Sequence, residues 1–142
     1  MNQLNHLVEA TVEFVSVNPS EKKLCIGVIS ANKEERTQIF ADGVDDFLAN
    51  DLRLSNIIDR VVIHEVGESP HLRERLFYFL RGKEPEPSDL EWEVLKDKLT
   101  SIKKGNLTFL EIEPVYGAAI MILAEHVEFK LTQSHSKNVD ER

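Results

Sequence analysis

An α+β fold, mainly antiparallel sheet with a two-helix pair packed on one face, is predicted by three observations. Before residue 66 and after residue 107, apolar residues recur with period two or in short runs rich in β-branched residues. Between these regions lie two stripes at helical spacing, each with capping chemistry at its start. Most strand-to-strand connections are of hairpin length, which antiparallel pairing allows and parallel pairing does not. The order reads β-β-β-(β)-β-α-α-β-β. Strands segregated from helices distinguish it from an alternating α/β chain.

From His6 to Val17 the pattern alternates. Val8, Ala10, Val12 and Phe14 fall on one face, and Glu9, Thr11 and Glu13 on the other. This predicts a half-buried strand. Asn18-Pro19-Ser20-Glu21 is turn chemistry, because Pro fixes φ and lacks a ladder donor. Leu24 to Ala31 is apolar on both faces and predicts a central strand, with Gly27 marking a bulge or a close backbone approach. Arg36 to Ala41 predicts a third strand, ended by a tight turn at Asp42-Gly43.

Residues 44–54 admit two readings. Val44, Phe47 and Leu48 could share a helical face capped by Asp42, or form a strand turned at Asn50-Asp51. The strand is preferred because strands precede and follow it. Ile57 to Val66, with Val61, Val62 and Ile63 in a row, predicts another.

The period then changes. Ser69-Pro70 offers an N-cap followed by proline in the first turn. Leu72, Leu76, Phe79 and Leu80 make one apolar stripe, and Gly82 can end the helix, so the spacing predicts a helix over 70–81. Lys83-Glu84-Pro85-Glu86-Pro87 is an extended charged linker. Ser88 and Glu91 form a capping-box pair ahead of the stripe Trp92, Leu95, Leu99 and Ile102, predicting a helix over 89–104. Leu107–Glu113 and Ala118–Leu131 are strands joined by a Pro114–Gly117 loop. Thr132 to Arg142 holds one aliphatic residue and is expected as a disordered tail to a single domain of residues 1–131.

At 142 residues and 16.2 kDa the chain suits one domain that needs no disulfide or metal to hold it. Its net charge of −8 argues against nucleic acid and against an anionic membrane as partner. The longest charge-free apolar stretch, Pro114 to Ala124, is 11 residues, too short to span a membrane as a helix. With no secretory pattern at the start and one cysteine, the expected location is cytoplasmic. Cys25, inside an apolar run, is expected as a small buried hydrophobe.

Gly-rich phosphate loops, Cys/His zinc spacings and Gly-x-Ser-x-Gly are all missing, so no cofactor, metal or catalytic residue is assigned. His64-Glu65 and Glu125-His126 would meet if their strands paired, giving two imidazoles and two carboxylates for metal or acid/base chemistry. The ordinary alternative is histidine on a polar strand face. Glu111 and Glu113 could perturb each other across from Glu125 or Glu128, with Lys130 to neutralise them. Arg73, Arg75, Arg81 and Lys83 give the first helix a basic flank.

The segment Glu34 to Asp51 carries six acids and one base. It either solvates a face or docks a basic partner. Asp42, Asp45, Asp46 and Asp51 are the candidate partner-binding residues. By elimination the expected function is a non-catalytic protein-interaction module, of the immunity or inhibitor kind, that masks a basic protein. The alternatives are a small ligand-binding domain or hydrolase-like enzyme using His64, Glu65, Glu125 and His126, and a homo-oligomer formed through the sheet face that helices leave uncovered.

Overall fold

The computed structural model describes residues 2–66 and 71–134. It is an α+β fold with six antiparallel strands: β1 (Thr11–Asn18), β2 (Lys23–Ile29), β3 (Glu35–Asn50), β4 (Ile57–Val66), β5 (Lys104–Tyr116) and β6 (Ala119–Ser134). Two helices, α1 (Leu72–Arg81) and α2 (Glu93–Lys103), lie between β4 and β5. The sheet closes into a barrel in the order β1-β2-β3-β6-β5-β4. The seam between β1 and β4 is short. Glu9 and Val12 donate to the carbonyls of Ile58 and Asn56, and Ile58 donates to that of Ala10.

Closure gives the sheet an inside and an outside. The inside is filled by alternating residues of all six strands, among them Leu24, Ile26, Ile39, Leu110, Ile112, Ile120 and Ile122, as a small barrel requires. The outside of β5, with the flanking parts of β3 and β6, meets the helices. There Phe109, Met121 and Leu123 pack against Leu72, Leu76, Phe79, Leu95, Leu99 and Ile102. Both predicted helical stripes are buried in this second core. The barrel interior is filled, so the sheet surface that the helices leave uncovered is part of the barrel's outside.

Asp42-Gly43 does not turn the chain. β3 runs through it as one 16-residue strand. Asp45 is the extra residue of a bulge between Val44 and Asp46, which face Ala124 and Leu123 of β6. Gly43 has φ 61°, and a Cβ there would strike the Glu125 side chain, so the glycine serves a close crossing and not a hairpin. This also decides residues 44–50 in favour of strand.

Other boundaries shift for local reasons. Residues 2–7 form a 3₁₀ turn, not a strand, and insert Leu4 and Leu7 into the barrel core. Glu9 at φ 63° ends that turn. A bulge after Val12 leaves Phe14 pointing outward onto Gly27, where a Cβ would collide with its ring. That is the close approach expected at Gly27. Ser69-Pro70 lies outside the described residues, and α1 itself begins at Leu72 after His71. The reciprocal cap before α2 joins Glu86 and Asp89, not Ser88 and Glu91, because Asp89 accepts the Glu86 N–H at 2.9 Å and closes a 3₁₀ turn over Pro87–Glu91. Trp92, extended, separates that turn from α2. β6 continues to Ser134, so residues 132–134 are strand paired with the start of β3. Residues 135–142 lie outside the described set.

The connection between β3 and β4, residues 51–56, crosses to the β5–β6 turn and is fixed there by Asn56. Its buried Oδ1 accepts the N–H groups of Ala118 (2.9 Å) and Arg53 (3.0 Å), and its Nδ2 donates to the Arg53 carbonyl (2.7 Å). Gly117, at φ 90°, leaves room for it. Asn56→Ala strands the buried Ala118 N–H, so it is expected to cost about 1–3 kcal/mol in urea unfolding. A loss below about 0.5 kcal/mol would show that the loop is held otherwise.

Candidate functional site

The two His–Glu neighbours do not converge. His64 faces Phe109 on β5, and Phe109 in turn faces Leu123 on β6, so His126 lies two strands away and three residues further on. Glu65, Glu125 and His126 are exposed, and His126 stands 3.7 Å from Glu128. Among the described residues, no group of three or more His, Cys, Asp or Glu side chains is placed to hold a metal ion.

His64 instead meets Glu111. Period-two alternation turns Phe109, Glu111 and Glu113 outward on β5, and Glu111 falls beneath α1. Its carboxylate accepts from His64 Nε2 at 3.0 Å and from Arg75 Nε at 2.9 Å. The His64 ring stacks on Phe109 with centroids 5.5 Å apart. The Arg75 guanidinium lies 5.3 Å from the Tyr78 ring, and the Tyr78 hydroxyl accepts from Asn50 at 3.1 Å. Burial pushes the Glu111 carboxyl up, but the bonds from His64 and Arg75 and the charge of Arg75 outweigh it and hold the group below its ordinary range. The network joins β3, β4, β5 and α1. His64 and Glu111 are almost fully covered, with side chains 8% and 4% exposed. The pair thus lies between the sheet and α1, where it ties the helix to the strands.

Glu113 pairs with Arg60 at 2.7 Å, and Glu111 faces Met121 on β6, whose pairing with β5 stops at Ala124, short of Glu125 and Glu128. The expected basic flank of α1 is spent internally: Arg75 on Glu111, Arg73 on the Leu90 carbonyl, and Arg81 over the Trp92 ring at 5.2 Å. Cys25 is not fully buried. It points outward beside Phe40, partly buried, and that burial raises its thiol pKa.

The four candidate aspartates are all exposed. They are strung along β3 and not gathered. From Asp42 to Asp51 nearly extended chain covers roughly 30 Å. Asp42 stands 4.0 Å from Lys23, and the bulge aims Asp45 at Lys98 of α2, 2.8 Å away. Asp46 accepts the Phe47 N–H, and Asp51, at φ 62°, begins the loop into β4.

That loop carries what sequence patterning missed. Leu52 and Leu54 are exposed, Leu54 completely at 103%, and so are Val115 and Tyr116 at the end of β5, which runs on through the expected Pro114–Gly117 loop as far as Tyr116. The Arg53 guanidinium lies 5.6 Å from the Tyr116 ring. A cleft of about 480 Å³ opens between Leu52, Leu54, Ser55 and Tyr116. The available signal was the pair of leucines in a six-residue connection, where alternation gives no reason for them.

No helix of the described residues is long and apolar enough to cross a membrane. Comparison with family models, curated proteins and solved structures gives no match.

Proposed function

We propose that this chain is a non-catalytic protein-interaction module, of the immunity or inhibitor kind, acting in the reducing cytoplasm on a basic protein. The observation that carries the reading is the apolar end formed by Leu52 and Leu54 of the 51–56 connection and Val115 and Tyr116 at the end of β5, with Asn56 tying that connection to Ala118 just beyond the strand. Large aliphatic and aromatic side chains held in water have no folding role, and they match the aromatic, Arg-bearing centre of a binding hot spot. Asp51 borders this end, and the acids of β3 extend from it, so that a basic partner is steered toward the leucines. The covering of His64 and Glu111 by α1 favours this reading over an enzyme.

The test is affinity capture from the native cells with the wild-type chain and a Leu54→Asp/Tyr116→Ala variant. A basic protein retained by the first and lost by the second is expected, with unfolding free energy changed by no more than about 0.5 kcal/mol per site. With that protein purified, converting Asp42, Asp45, Asp46 and Asp51 to Asn is expected to slow association and flatten its salt dependence. Retention of the same protein by the loop variant would overturn the reading. An unchanged rate and salt slope would remove the aspartates from it.

A further inference from the structure

The helices cover only part of the barrel's outside. Among the described residues, none outside the strands packs on the outer face of β1, β2, the first half of β3 and the second half of β6. Its residues follow from the register. Phe14, Ser16 and Asn18 face Gly27, Cys25 and Lys23, and these face Gln38, Phe40 and Asp42. Lys130, Glu128 and His126 complete the rows on β6. The centre is apolar: Phe14 is 42% exposed, Cys25 and Phe40 are partly buried, and a cleft of about 400 Å³ lies beside them.

The charges of the described residues on this face balance. Lys23, Arg36 and Lys130 stand against Glu13, Asp42 and Glu128, in a chain whose net charge is −8. A strongly basic or acidic partner would meet as many like charges as opposite ones here. The Lys23–Asp42 and Lys130–Glu128 pairs are long, at 4.0 and 3.9 Å, and their side chains are about half exposed or more. Such loose pairs hold little energy in place and can re-pair across an interface. In a twofold contact whose axis runs along the strands between β2 and β3, Lys23 of one copy faces Asp42 of the other, and the same exchange recurs on the far side of the axis.

From this pattern we infer that the outer face centred on Phe14, Cys25 and Phe40 seats a second copy of this chain, forming a twofold dimer. The inference is independent of the loop end, which stays free for a different protein.

Sedimentation velocity of the wild-type chain from micromolar to near-millimolar concentration tests it. The average mass is expected to climb from 16.2 kDa toward twice that value. Over the same range the reaction of Cys25 with a disulfide reagent is expected to slow, since dimer formation covers the thiol. Phe40→Glu and Lys130→Glu are each expected to weaken the dimer by roughly tenfold or more. Lys130 is exposed, so its variant keeps the test valid should Phe40→Glu fail to fold. Leu54→Asp is expected to dimerise as the wild type does. A wild-type chain that stays monomeric at near-millimolar concentration overturns the inference. So does self-association that survives Lys130→Glu and is lost in Leu54→Asp, which would place the self-contact at the loop end.

Discussion

Arg75→Ala is expected to destabilise the fold by about 3 kcal/mol, the low end for breaking a buried ion pair. The low end applies because Arg75 itself is 38% exposed, whereas the Glu111 it abandons is 4% exposed. The pH dependence gives the sharper test. In the wild type the Glu111 carboxyl is depressed on folding, so its contribution is fully present above the ordinary carboxylate range and is lost as pH falls through the depressed value. Without Arg75, burial is expected to dominate and raise the carboxyl above its unfolded value. A raised carboxyl stabilises only while protonated, so that contribution disappears as pH rises through the new folded value. The deficit of the variant should therefore be smallest in acid and widen toward neutral pH. Urea unfolding of both proteins below and above the carboxylate range measures it. A deficit that is the same at every pH would show that Arg75 acts through its packing on Tyr78 and not through Glu111.

Leu76→Ala is expected to cost about 2–5 kcal/mol, since the side chain is fully buried and the site is bounded by other large residues. Leu76, Leu95 and Phe109 belong to the core between helices and barrel, not to the core within the barrel. Native-state hydrogen exchange should accordingly speed up most in α1 and α2 and least in β1 and β2. A loss under about 1 kcal/mol would mean that the helix layer closes over the missing volume.

Local physics made the elements legible, and contacts distant in sequence decided the rest. The stripe at Leu72, Leu76 and Phe79 and the stripe at Leu95, Leu99 and Ile102 could be seen because one buried face forces helical spacing. The antiparallel α+β class followed from hairpin-length connections. Barrel closure was hidden, because it depends on β1 reaching β4 across some 45 residues and leaves no local pattern. Gly43 was misread for a related reason. Asp-Gly is turn chemistry in isolation, but here the chain continues as strand and the glycine makes room for the Glu125 side chain of β6. The pairing of His64 with Glu111 was hidden in the same way. Both residues were singled out, yet their union needed the register of β4 on β5 and an arginine from α1. The aspartates could be named one by one, while their spread along a single strand became apparent only once β3 proved continuous.

The seam between β1 and β4 gives the molecule a preferred place to breathe. Elsewhere neighbouring strands are joined along five or more register positions, but here a few backbone bonds around Ile58 carry the junction. Val12 and Ile58 are buried beside it. The 3₁₀ turn of residues 2–7 acts as a clasp over this gap, because Leu4 and Leu7 leave the core if the first strand swings away. A barrel abolishes free strand edges only while it is shut. The clasp and the few bonds it guards thus set how often this chain presents an unpaired edge to its neighbours.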